Sequence, residues 1–359
     1  MSTTPAEAAR ASGYLVMFAP PALLVASVTG DAPWIAFVGL IVVLPFLRAV
    51  VGDATGAPPE WSETIATVLG ALPIACAVVY AGAFGYAMWR LGRSAPTGGY
   101  LALLRISLWV VCAFATCVAH ELLHRRDALS QTAGRVLSGM IGYPLQEREH
   151  VVHHARGSDV ASAESADIDE SVWLFTARRA LRVPRTAWDG DVAAAQQRGH
   201  RLSGGLPLAV AATIATAMGF GIAVGPRGLL LYVVVALAVG WTLQAMTYIQ
   251  HWAMGDDVGA KQPPGGFSWE DRCQLQVWLT LGISYHQAHH ARGGVPYYRQ
   301  QPVEGSPRQP AGYVVLLFAS MVPPLWRALM LPALKRWKAA PLSQPSPGRR
   351  MICFQRSQS

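Results

Sequence analysis

The sequence predicts an all-α membrane protein of about six transmembrane helices that carries a cytoplasmic, histidine-rich cap. Three observations lead to that expectation. Hydrophobic residues make up 52% of the 359 and charged residues only 14%, against roughly 25% charged in ordinary soluble domains. The apolar residues come in runs long enough to cross a bilayer, which takes about 20 residues per helix. Nine of the ten histidines gather near the ends of those runs.

Residues 1–13 are small and polar and read as a mobile N-terminus. Runs at 14–30 and 34–51 form a first hairpin around Asp31-Ala32-Pro33, a turn signal. A polar loop at 52–62 precedes a second hairpin, 64–90 and 101–119, whose Gly/Pro-containing link carries Arg90 and Arg93. The third hairpin, 206–225 and 228–248, turns at Gly225-Pro226-Arg227. A run at about 312–332 is broken by Pro323-Pro324 and reads as an interfacial or re-entrant helix. Residues 14–332 therefore form a single membrane-bound domain, with a polar cap at about 146–205 and 249–311. The segment 333–359 reads as a basic, disordered tail. The first apolar run lacks a small-x-small exit and leads into another span, so no cleavable signal peptide is expected.

Six spans put both termini on one side. The basic tail (Lys335, Arg336, Lys338, Arg349, Arg350) and the basic stretch with Arg178, Arg179, Arg182, Arg185, Arg198 and Arg201 make that side the cytoplasm. Arg90 and Arg93 fall on the other side, but the opposite orientation misplaces more charges. The arginine-rich stretch is expected to lie on the lipid headgroups. The net charge of +8 thus reflects basic membrane-flanking loops, and no nucleic-acid motif accompanies it. Five cysteines (76, 112, 117, 273 and 353) include no CxxC pair, so the chain carries no rubredoxin-like or iron–sulfur site of its own.

The histidines decide the chemistry. His120 and His124 lie in HELLH; His150, His153 and His154 in EHVVHH; His286, His289 and His290 in YHQAHH; His251 stands alone in YIQHW. Spacings of three and four share a helix face, so each cluster can aim two or three imidazoles at one point. Nine imidazoles are too many for one metal, whereas two metals with four or five nitrogens each would use them all. Imidazole suits Fe, Zn, Cu and Ni, so the ligand type alone does not choose, although a nitrogen-rich site beside apolar helices suits iron and O2 chemistry. HELLH alone also matches the zinc-protease pattern with Glu121 as general base, but that leaves seven histidines without a role. A transporter would place ionisable groups near the midplane, and a haem protein would need only one or two axial histidines. His200 reads as a surface residue.

The order HELLHRRD (120–127), EHVVHHARGSDVASAES (149–165), TYIQHW (247–252), YHQAHHARGG (285–294) and PAGYVVLLFASMVPPLWRALM (310–330) resembles the membrane fatty-acid desaturase/hydroxylase superfamily. Within it, the likeness is to the alkane 1-monooxygenase and xylene monooxygenase branch. The second box here is HxxHH, as in desaturases, and the lone histidine lies in TYIQHW, not in an Asn-Tyr…His-Tyr-Gly form. The resemblance implies a di-iron centre held by His120, His124, His150, His153, His154, His251, His286, His289 and His290. It implies O2 as co-substrate and hydroxylation of a terminal methyl or benzylic C–H in an alkane, alkyl-aromatic or fatty-acyl-like substrate. Desaturation, or fatty-acid decarboxylation to a terminal alkene, is the alternative outcome on this scaffold. A separate rubredoxin or ferredoxin with its NAD(P)H reductase would deliver electrons, and the bacterial inner membrane would house the enzyme.

A metal-bound imidazole usually donates its other N–H to a carboxylate or carbonyl. Glu121, Glu149 and Asp159 are the foremost candidates for that role, with Asp127, Glu164 and Asp169 also near in sequence; Asp256, Asp257, Glu270 and Asp271 could serve the third cluster. The basic cap and tail suit either an acidic electron carrier or anionic lipid.

Overall fold

A computed structural model describes residues 4–54, 60–156, 159–161, 163–197, 199, 205–255 and 267–339. The described residues form helices and loops, with only isolated β-bridges at Asp53–Cys273, Ala166–Trp252 and Glu270–Arg308. Among the described residues, five helices have the length and apolarity to cross a membrane: α1 (Pro5–Thr29), α3 (Glu63–Ser94), α4 (Gly98–Leu123), α8 (Gly205–Val224) and α9 (Pro226–His251). The expected second span is the shorter apolar helix α2 (Ile35–Val51). It exposes Phe46 and Val50 at 70% each, as a lipid-facing helix would. Pro45, just inside its last section, lacks the N–H for the normal bond to Ile41, and the turn at Val38–Val43 is widened to a π-helix.

The remaining helices build the cap. They are α5 (Ala128–Met140), α6 (Gln146–Arg156), α7 (Val172–Gln197), α10 (Gln274–Leu279), α11 (His286–Ala291), α12 (Tyr313–Ser320) and α13 (Pro323–Ala339). Local chemistry sets their starts. Ser62 and Thr97 accept from the amides of Ile65 and Tyr100 to cap α3 and α4; Asp127 accepts from Ser130 to cap α5. Gly225, with φ +68°, makes the turn into Pro226 at the first position of α9.

Three expectations need correction. Residues 5–12, read as a mobile start, are helical, because Thr4 and Glu7 form a reciprocal capping box and Glu7 also accepts from the Ser62 amide. The tail expected from 333 is helical as far as Ala339. Ala333 and Leu334 are buried there, and Trp337 packs edge-on against Phe267 at 5.0 Å and donates to the Gly305 carbonyl at 2.8 Å. The run at 312–332 is two helices, α12 and α13, with Pro323 opening the second. Expectations for His200, Arg198, Arg201, Asp256, Asp257, Arg349 and Arg350 lie outside the described residues.

The cap is fixed to the bundle by close backbone packing. Helix α5 lies so near α8 that a Cβ on Gly139 would come within 2.1 Å of the Ala209 carbonyl oxygen. The Gly139 carbonyl also accepts from Thr213 Oγ1 at 2.9 Å and Tyr232 OH at 3.0 Å. Gly139→Ala is therefore expected to cost about 1–3 kcal/mol and to lower the midpoint of thermal unfolding in detergent. Gly82→Ala, at a helical position where an added Cβ meets nothing within 4 Å, is expected to leave it unchanged or slightly raised. Equal midpoints for the two variants would contradict this packing.

Candidate metal centre

Four separate helices deliver the nine histidines. His120 sits in the last turn of α4, and His124 follows its end. Helix α6 carries His150, His153 and His154, α9 ends on His251, and α11 carries His286, His289 and His290.

The imidazoles form two groups. Ring nitrogens of His120, His124, His150, His154 and His289 all lie within 4.8 Å of one another, as do those of His153, His251, His286 and His290. In the first group the Nε2–Nε2 separations are 2.6 Å for His124–His150, 2.9 Å for His154–His289 and 3.4 Å for His150–His289. In the second they are 2.9 Å for His251–His286 and 3.1 Å for His286–His290. Nitrogens bound to one ion at about 2.1 Å and at right angles lie roughly 3 Å apart, so this spacing fits a shared cation. The groups adjoin, with the rings of His154 and His290 stacked at 4.6 Å.

The division corrects the expectation that each cluster aims at one point. Adjacent helical residues diverge by about 100°, whereas residues four apart diverge by about 40°. His150 and His154 therefore share the first group while His153 turns to the second; His286 and His290 share the second while His289 turns to the first.

Burial shapes their protonation. It holds His150, His153, His286 and His289 well below the ordinary imidazole range, and His124 and His290 at about 4. Uncharged imidazoles are the form that binds a metal. The buried Nδ1 atoms of His251, His286 and His290 have no hydrogen-bond partner among the described residues, whereas His153 Nδ1 lies 2.9 Å from Glu164 Oε2.

The three foremost carboxylates have different surroundings. Glu121 pairs with Arg125 at 3.4 Å. Glu149 lines the adjoining cavity and accepts from Tyr143 OH and Arg179. Asp159 offers its main-chain carbonyl to the amides of Glu164, at 3.0 Å, and Ser165, at 3.3 Å, and so shapes the turn that presents Glu164. Asp127 caps α5, and Asp169 pairs with Arg327 at 3.1 Å near the surface. Asp271 pairs with Arg48 at 2.8 Å; Glu270 Oε1 accepts from the amides of Ala288 and Val303 at 3.3 Å each, holding α11.

Arg179, expected on the headgroups, is instead buried, with 1% of its side chain exposed. The signal lay in spacing: Val172, Phe175, Thr176, Arg179 and Val183 fall on the buried face of α7. Tyr143 and Gln244, which complete its surroundings, carried no comparable mark.

The cavity leads from the histidines into the bundle. Trp109, Ala113, Cys117 and His120 line it along one face of α4, a span of about 16 Å at 1.5 Å per residue. Leu243 and Met246 of α9 and Leu317 of α12 also line it. Polar side chains, among them Thr116, Gln146 and Glu149, contribute to its lining, and no Lys or Arg does among the described residues.

A helical membrane bundle that brings nine imidazoles together in two groups beside an apolar cavity is a membrane protein able to hold metal. A family model described as fatty acid desaturase matches residues 94–319, and the chain belongs to that family. It is 28% identical over 238 residues to alkane 1-monooxygenase 1 of Pseudomonas aeruginosa, covering 64% of this chain and 62% of that protein. It is 25% identical over 340 residues to alkane 1-monooxygenase of Pseudomonas putida, covering 88% and 82% of the two chains. The hydroxylase component of xylene/toluene monooxygenase of Pseudomonas putida is 24% identical over 261 residues, covering 71% and 69%.

The depressed histidines give the metal-free protein a definite pH dependence. An unfolded chain takes up protons near pH 6.5, while folded His124 and His290 do so only near 4. The unfolded state binds more protons between those values, so stability falls as pH drops from 7 towards 4. Chelator-treated protein should unfold at progressively lower temperature at pH 7.5, 6 and 5. A flat or rising trend would mean that these imidazoles are charged in the fold.

Proposed function

We propose that this chain is an O2-dependent di-iron monooxygenase that hydroxylates an unactivated C–H bond at the uncharged end of an alkyl chain. The observation that carries this reading is the five-and-four division of nine buried imidazoles beside an apolar cavity. His120, His124, His150, His154 and His289 would hold one iron; His153, His251, His286 and His290 would hold the other. When bound, the irons supply the redox chemistry that activates O2 and breaks the C–H bond.

The protein's own part is to bind, orient and exclude water. Trp109, Phe114, Leu243, Met246 and Leu317 offer an apolar wall, and burying alkyl surface there contributes about 25 cal/mol per Å². Orientation along α4 brings a chain end up to His120, and holding the reacting carbon in place is itself a large part of catalysis.

Electrons would come from a separate rubredoxin or ferredoxin with its NAD(P)H reductase. Exposed Arg126 and Arg292, each two residues beyond a histidine of the cluster, suit an acidic carrier. The chain would work as a single membrane-bound domain in a bacterial inner membrane, with both termini and the histidines on the cytoplasmic side, as the basic helix end at Lys335, Arg336 and Lys338 favours.

Iron content and turnover of detergent-purified protein test this. With reductase, carrier and O2, wild type is expected to convert alkanes or alkyl-aromatics to alcohols and to contain about two irons per chain. His289→Ala and His286→Ala should each lower iron content and reduce turnover by at least about 10²-fold. A single zinc per chain, unaffected by His289→Ala, would sink the proposal.

A further inference from the structure

Arg179 sits at the centre of a closed polar network. Its Nη1 donates to Ala163 O at 2.6 Å and to Glu164 Oε2 at 2.7 Å. Its Nη2 donates to Glu149 Oε1 and its Nε to Gln244 Oε1. Gln244 Nε2 in turn donates to Tyr143 OH at 2.6 Å, and Tyr143 OH donates to Glu149 Oε2. Arg179, Glu149, Tyr143 and Gln244 thus form a ring, and Glu164 extends from it to His153 Nδ1. The ring joins α6, which carries three histidines, to α7 and α9.

We propose that Arg179 and Glu164 are positioning residues that set one of the two histidine groups apart from the other. With Nδ1–H given to Glu164, His153 has only Nε2 left for the group it shares with His251, His286 and His290. The carboxylate fixes that tautomer and raises the donor strength of the ring. Glu164 cannot hold this place alone, because a buried carboxylate needs a partner. The Arg179 fork supplies it, bonding Glu164 through one nitrogen and Glu149 through another. Two carboxylates against one guanidinium leave a net charge of −1 behind His153, which a bound cation would offset. Among the described residues, no carboxylate is hydrogen-bonded to a ring of the five-histidine group. The four-histidine site should therefore be the one tuned by this network.

This inference rests on the histidines being metal ligands, and titration separates the two ideas. Metal-free protein in detergent is titrated with Fe(II) under argon, and the loaded samples are examined by Mössbauer spectroscopy. Wild type is expected to bind in two steps and to give two quadrupole doublets. Glu164→Gln, which keeps shape and removes charge, should weaken one step about 10–100-fold, leave the other in place and move one doublet only. Arg179→Lys should act on the same step and the same doublet. If Arg179→Lys does not fold, Glu164→Gln decides alone. Unchanged steps and doublets in Glu164→Gln, or equal weakening of both steps, would overturn the positioning role while leaving the metal reading intact. Failure of wild type to bind iron at all would overturn both.

Discussion

Nine imidazoles can be packed against one another in a largely apolar interior only while they are uncharged. That requirement ties the parts of the structure together. Burial depresses the affinity of His150, His153, His286 and His289 for protons, and the neutral rings then turn lone pairs towards common points. Convergent lone pairs at 2.6–3.4 Å repel unless a cation or a shared proton lies between them. The arrangement is therefore costly to the empty protein and favourable to a loaded one, as expected where metal binding and folding are linked.

The bundle supplies the rigidity that such convergence needs. Helices α4 and α9 end at the same place and deliver His120 and His251 from elements held by several turns of packing. Helices α6 and α11 are shorter and depend on outside support. For α6 that support is the Arg179 network; for α11 it is Glu270, fully buried, which accepts from the Ala288 amide. Close contact of α5 with α8 at Gly139 fixes the loop that leads into α6. Much of the cap's polar chemistry thus serves to aim the six histidines of α6 and α11.

The histidine pattern, the three hairpin turns and the helical character of the chain were legible because spacing and apolar run length act locally. So was the total of two metals' worth of nitrogens, although not which histidine belongs to which group. That followed once α6 and α11 were seen to be regular helices, since a 100° step separates His153 from His154 and His289 from His290. Arg179 was hidden by its neighbours Arg178 and Arg182, which made the stretch look uniformly solvated. Its place on the buried face of α7 depends on tertiary pairing with Glu149 and Glu164. The helical start at residues 5–12 was missed for a smaller reason: a capping box of Thr4 and Glu7 can order a segment that is otherwise weakly apolar.

The short α2 has a consequence for the lipid around it. Its 17 residues, at about 1.5 Å each, reach only about 25 Å, against a hydrocarbon layer of roughly 30 Å. A helix of that length that exposes Phe46 and Val50 to acyl chains crosses only where the leaflets thin, its flanking residues reach outwards or neighbouring helices cover it. Ile41, in the widened turn of the same helix, lines the cavity. Any such thinning would fall beside the part of the cavity wall that α2 provides.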